Sequence, residues 1–378
     1  VNSLSESSDQ RRKKTALILN SRQTKQPIGA DPWVRNTVAA VEHAIQSEFT
    51  ILTSVGMNTY ELVLYLASRS GARMIVLLPP ASVSDNVTAA EIIRNFHLDP
   101  RRCSFVPITD AGKRPKDWWI ERDCIAIRAA DLILPVSVNP DGTLARLIRL
   151  HKKAEAAVDE SFSSPYDLHR RGTYLPIDPS TISPIDGKTW NSLTHWTRSL
   201  SGPWPDETKN DYYRSIVESD EVYSHSALAT LENILRSGVL CGSAQKIRGE
   251  FKVVPLTDLS PCEAVKLMRW RARFVRWNFE PYGIAVDRDC ARSIGIRPVI
   301  YARPADYSNL PDEDKPYFQN MGERGGGWKP EREWRYHGDV RLSAIPASKM
   351  KIIVRRPSEI DQIQHLTSSE VISLTTEP

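Results

Sequence analysis

The chain has 378 residues, 40% hydrophobic and 25% charged, with a net charge of +4. At roughly 150 residues per domain this length predicts two domains, and the balance of apolar and charged residues excludes disorder of the whole chain. No run of about 18 apolar residues occurs, so no membrane-spanning helix and no membrane partner are expected.

Residues 1–14 are polar, end in the basic run Arg11 to Lys14 and lack an apolar signal core, which predicts a disordered tail and a cytoplasmic protein. From 15 to 156 short apolar runs alternate with helical patterns. Thr15–Asn20, Phe49–Ser54, Arg73–Leu78, Cys103–Ile108 and Asp131–Val136 read as buried strands, rich in Leu, Ile and Val. Residues 34–47, 58–70, 87–96, 115–129 and 142–153 read as the intervening helices. The alternation predicts an α/β domain built on an open parallel sheet of the Rossmann-like class.

Ligands of such sheets bind beyond the carboxyl ends of the strands, where backbone amides and helix N-termini attract anions. Three strand ends carry suitable residues: Ser21 and Arg22 after the first, Ser54, Gly56 and Asn58 after the second, Gly142 and Thr143 after the fifth. Each set alone reads as turn and cap residues. Together at one sheet edge they predict a site for a nucleotide or phosphate. The order strand-Ser-Arg, Ser-x-Gly turn and final strand into Asp-Gly-Thr resembles the SLOG superfamily, which includes DprA and the LOG-type phosphoribohydrolases. LOG enzymes follow Pro-Gly-Gly-x-Gly-Thr with a catalytic Glu, whereas this chain reads Pro140-Asp141-Gly142-Thr143-Leu144-Ala145-Arg146. The resemblance therefore implies binding of a nucleotide or nucleic-acid backbone rather than hydrolysis.

Residues 157–192 are rich in Ser, Pro, Asp and Gly and read as a linker. An α+β domain, mostly antiparallel, is expected over 193–356, with 357–378 as a C-terminal tail. Its predicted elements are a strand at 193–199, a helix at 226–237 ended by Gly238, and strands at 252–257, 282–287, 297–302, 332–336 and 350–354. A basic amphipathic helix is expected at 263–277, with Lys266, Arg269, Arg273 and Arg276 on one face and Trp270 and Trp277 on the adjacent one. That face predicts phosphate contacts with DNA. Trp196, Trp204 and Trp334 are expected as exposed aromatics able to stack on a base.

The run Glu331-Arg332-Glu333-Trp334-Arg335 is the strongest candidate site. Period-two alternation places Glu331, Glu333 and Arg335 on one face, either as an ion ladder or as a catalytic pair of carboxylates beside a guanidinium. Five scattered cysteines (Cys103, Cys124, Cys241, Cys262, Cys290) and no His cluster write neither a disulfide framework nor a metal site.

The order His195-Trp196-Thr197, a helix ending at Gly238, Val254-Pro255-Leu256-Thr257-Asp258, Tyr282 to Val286, Pro298 to Tyr301 and Glu331 to Arg335 resembles AbiGi-type abortive-infection proteins. It is similar, more distantly, to the DNA-directed ADP-ribosyltransferase DarT. The resemblance covers roughly 190–345 and implies NAD as a substrate, with His195 holding it, Tyr282 stacking nicotinamide and Glu333, beside Glu331, orienting the ribose or acceptor. The 199–225 stretch is an insertion relative to that pattern. The combined expectation is a DNA-modification or phage-defence enzyme that transfers ADP-ribose to a base through Glu333, working with partner proteins of such a system. One alternative is Dpd-type hydrolysis of a deazaguanine nitrile in DNA, with Glu333 as base and His195 as acid. A second is a non-catalytic nucleotide sensor or DNA-binding protein.

Overall fold

The computed structural model describes residues 14–80, 88–108, 117–151, 157–167, 177–183, 189–271, 276–321 and 331–377. The chain forms two compact units, Val1–Thr173 with Gly202–Ser224 and Tyr174–Ser201 with His225–Pro378. It therefore passes between them three times, and the single linker expected at 157–192 is corrected.

The first unit holds the parallel strands β1 (Thr15–Asn20), β2 (Thr50–Ser54), β3 (Met74–Leu78), β4 (Cys103–Pro107), β5 (Leu132–Ser137) and β6 (Ala157–Val158). Helices α1 (Pro32–Gln46), α2 (Asn58–Arg69), α3 (Ala89–Phe96), α4 (Trp118–Ala129) and α5 (Thr143–His151) connect the first five strands and follow the fifth. The sheet order is β4-β3-β2-β1-β5-β6, and each pair is parallel. Every residue of β1, β2 and β5 is buried, because the sheet is covered on both faces. Ile18 and Ile51 pack with Val41 of α1 and Leu62 of α2, whereas Leu17, Leu19 and Ile133 pack with Ile127 of α4 and Ile148 of α5. Each such side chain contributes about 1.5–3 kcal/mol on burial.

Helix α6 (Lys209–Val217), which the sequence reading left unassigned inside the second domain, belongs to this unit. Thr208 caps it by accepting from Asp211 N–H at 3.1 Å. Tyr212, Tyr213 and Ile216 enter the core of the first unit. Its position is set by buried Glu61 of α2, which accepts from Lys209 Nζ at 2.5 Å and from Tyr213 Oη at 2.9 Å. At the base of the excursion Leu200 N–H donates to the His225 carbonyl at 3.0 Å, so its two ends meet.

The second unit is built on a seven-stranded sheet of β7 (Ser192–Trp196), β8 (Val253–Thr257), β9 (Gly283–Asp287), β10 (Arg297–Pro298), β11 (Glu333–His337), β12 (Met350–Val354) and β13 (Glu370–Ser373). The order is β10-β11-β8-β7-β9-β12-β13, antiparallel except between β12 and β13. Helix α7 (Ala227–Ser237) ends as expected at Gly238, where φ is +70°. Residues 357–377 are no tail: β13 extends the sheet, and Leu374 is fully buried.

Two further expectations are corrected. The basic helix at 263–277 is absent. Helix α8 (Pro261–Val265), held by a Ser260–Glu263 capping box, stops at Lys266, and an antiparallel ladder pairs Trp270 with Trp277 and Arg271 with Arg276. The two indoles meet edge to face at 5.9 Å. Pairing them across a ladder explains why apolar residues seven apart mimicked a helical stripe. Arg273 lies outside the described residues. The strand expected at 297–302 breaks at Val299, whose N–H donates to the Glu333 carbonyl, and Ile300–Ala302 pairs instead with Phe318–Asn320.

Candidate functional site

The strand order turns around between β1 and β5, and this is the crevice at which open α/β sheets take ligands. Asn20 Oδ1 accepts from Ser137 N–H at 3.1 Å, Ser21 N–H donates to the Ser137 carbonyl at 2.8 Å, and Ser21 Oγ accepts from Asn139 N–H at 2.9 Å. The chain then turns through Gly142, whose N–H donates to the Asn139 carbonyl. A Cβ at Gly142 would meet Asn139 at 3.2 Å, so the turn needs glycine for space. Helix α5 begins at Thr143, and its first intrahelical bond is Arg146 N–H to the Gly142 carbonyl. The amides of Thr143, Leu144 and Ala145 therefore precede the helical ladder and suit an anion. Arg22 and Thr143 are exposed, and Tyr166 Oη donates to the Arg22 carbonyl at 3.0 Å. Ser21, Arg22, Gly142 and Thr143 are thus brought together as expected.

The second strand end is different. Ser54 Oγ donates to the Leu77 carbonyl, Asn58 Nδ2 to the Thr24 carbonyl, and Gly56 N–H to Glu61 Oε1 at 2.9 Å. The chain's own carboxylate occupies this turn, so Ser54, Gly56 and Asn58 are corrected from phosphate ligands to internal turn residues. Gly56, at φ +88°, is required here because a Cβ would strike the Trp119 ring at 2.7 Å. Glu61 was missed because its partners Lys209 and Tyr213 lie about 150 residues away in the sequence.

In the second unit Glu333 Oε1 accepts from Arg335 Nε at 2.8 Å and Oε2 from Nη2 at 3.3 Å. Arg335 Nη1 donates to the carbonyls of Pro316 and Phe318, and Nη2 also donates to Gln319 Oε1 at 2.6 Å. All five guanidinium protons are thereby used. Arg335 is 1% exposed and acts as a strut, whereas the Glu333 side chain keeps 15% exposure. Glu331 precedes the strand: Arg332, at φ +42°, breaks the alternation, and the Glu331 carbonyl accepts from Thr257 Oγ1. Both carboxylates lie near Tyr301, whose phenol is pushed up mainly by burial and whose Oη accepts from Glu333 N–H at 3.3 Å.

His195 and Glu333 are not in one site. Glu333 pairs with Thr257 and Thr257 with Thr194, so these three side chains share a face, and His195, next along β7, points to the other. His195 pairs with Ile284, two residues from Tyr282, so His195 and Tyr282 share that opposite face. The Tyr282 Oη donates to Glu359 at 2.9 Å. His195 Nδ1 meets the Pro255 carbonyl at 2.8 Å, and since a carbonyl only accepts, Nδ1 carries the proton. Burial pushes the imidazole down to about 4, so at neutral pH it has no second proton to give and the acid role expected of His195 is corrected. Trp196 and Trp334 are 4% and 8% exposed and belong to the cores on the two faces, which corrects their expected stacking role. Lys266 and Arg269 lie on the turn after α8 and share no helical face with Arg276.

Searches of protein-family models, curated proteins and solved structures each returned no match.

Proposed function

We propose that this chain binds the phosphate of a nucleotide, or of a nucleic-acid backbone, at the β1–β5 edge of its first unit. The observation that carries the reading is the convergence of Ser21, Arg22, Gly142 and the start of α5 on the point where the strand order reverses. Glu61 seals the neighbouring β2 turn from within, which leaves this edge as the open one of the two. Titration with ADP and with adenosine tests it. ADP is expected to bind in a salt-dependent manner and adenosine about tenfold or more weakly. Equal binding of both, or of neither, refutes the reading.

A second reading concerns chemistry, and the fixed Glu333 carboxylate favours it. We propose transfer of ADP-ribose from NAD, as substrate, to a base in DNA. The bond between ribose and nicotinamide breaks, the base forms the new bond to that ribose carbon, and Glu333 stabilises the ribosyl cation and takes the proton the base sheds. Arg335, with no proton left to offer, orients Glu333 and does not touch the substrate. His195 and Tyr282, on the opposite face, take no part at this centre. Digested DNA from cells making the protein is expected to carry an ADP-ribosyl adduct that disappears with Glu333→Gln. A deazaguanine amide in its place would support the nitrile hydrolase, and unmodified DNA would refute both chemistries.

A further inference from the structure

Gln319 stood in no sequence-based site, and the Arg335 strut gives it a defined orientation. Its carboxamide oxygen accepts from Arg335 Nη2 at 2.6 Å. A carboxamide has one oxygen and one NH2 group, so an oxygen fixed on the guanidinium turns the NH2 away from it. The other Nη2 proton goes to Glu333 Oε2 at 3.3 Å, and Nε holds Oε1 at 2.8 Å. A single buried cation therefore sets an amide donor beside a carboxylate acceptor. Both side chains are partly exposed. Each Glu333 oxygen has two acceptor positions and gives one to Arg335, so the pair presents acceptor, acceptor and donor.

We infer that Glu333 and Gln319 together read the edge of a 2-amino-6-oxopurine. The ring N–H and the 2-amino group donate to the two Glu333 oxygens, and the 6-oxo group accepts from the Gln319 amide. Among the common bases, guanine places two adjacent N–H groups beside a carbonyl on one edge, which matches this array. Gln319 is then a specificity-determining residue. The inference rests on the reading of Glu333 as the reactive centre and names the base held there. A base in duplex DNA reaches such a pair only when turned out of the stack.

The test is calorimetric titration of the full chain with deoxyguanosine, deoxyinosine and deoxyadenosine, for the native protein, Gln319→Glu and Glu333→Gln, each first checked by thermal melting. Nucleosides are used because they lack the phosphate that the first unit binds. Gln319→Glu keeps the oxygen that Arg335 holds and replaces the donor by an acceptor, so the melting temperature is expected to stay put. Deoxyguanosine is expected to bind about tenfold tighter than deoxyinosine, which lacks one N–H, and tighter again than deoxyadenosine. Gln319→Glu is expected to weaken deoxyguanosine about tenfold or more. Equal binding of the three nucleosides, or no binding, overturns the inference. If Glu333→Gln abolishes binding and Gln319→Glu leaves it intact, the role of Gln319 falls and the Glu333 reading stands. If neither variant alters it, both fall.

Discussion

The Ser21 hydroxyl accepts from Asn139 N–H at 2.9 Å and so pins the turn after β5 to the end of β1. One serine thereby joins two segments 118 residues apart at the crevice where the strand order reverses. Ser21→Ala removes the acceptor and frees the turn that leads into α5. The expected outcome is a loss of about 1 kcal/mol in stability and weaker ADP binding, checked by denaturant unfolding and calorimetry. Unchanged affinity would detach the turn from the site.

Glu61 receives three donors, Gly56 N–H, Lys209 Nζ and Tyr213 Oη. A glutamine there offers one acceptor and turns its NH2 toward at least one of those donors. Glu61→Gln is expected to destabilise the first unit by about 1–3 kcal/mol, the lower part of that range allowing for the solvent around part-exposed Lys209. Because Glu61 fixes α6, trypsin is expected to cut at Lys209 and Arg214 sooner than in the native protein. An unaltered digestion pattern would mean that Glu61 does not hold the helix.

Gly283 of β9 keeps φ in the ordinary range, yet a Cβ there would lie 2.7 Å from the His195 carbonyl and 3.2 Å from the Trp196 ring. Gly283→Ala is therefore expected to cost about 1–3 kcal/mol through overpacking, read as a lower melting temperature. A neutral result would show that β7 and Trp196 can give way.

His195 supplies a pH dependence whose sign follows from its burial. The folded-state value is held down to about 4, below the ordinary 6.5, so the unfolded chain binds the proton first as pH falls. Its contribution is present above about 6.5 and is lost as pH drops from 6.5 through 4, by at most about 3 kcal/mol. His195→Asn keeps a donor for the Pro255 carbonyl and removes the titration. Denaturant unfolding at pH 7 and 4.5 is expected to show a smaller drop in the variant. Equal drops would place the acid sensitivity elsewhere.

The first unit was legible because its strands obey local rules. Thr15–Asn20 is found at the bounds read from sequence, and β2, β3, β4 and β5 fall within a residue or two of theirs. Capping and strand-end residues also located Ser21, Arg22, Gly142 and Thr143. What stayed hidden depends on partners far away in sequence. Nothing near Gly56 announces that Lys209 and Tyr213 will draw Glu61 into its turn. Gln319 gains meaning only once Arg335 is seen to fix its oxygen. The basic helix failed because the stripe Trp270–Trp277 fits a cross-strand indole pair as well as a helix face. His195 and Glu333 looked like partners because residue order carries no sheet parity, and the chain of pairs through Thr194 and Thr257 supplies it.

The most direct measurement is the change in backbone amide NMR shifts as ADP is added to the isotope-labelled chain. The account predicts the largest shifts at Ser21, Arg22 and Gly142 through Ala145, reduced for Arg22→Gln, with Gly56 and Asn58 little moved. Largest shifts at the Gly56 turn, or no shifts at the β1–β5 edge, would contradict it.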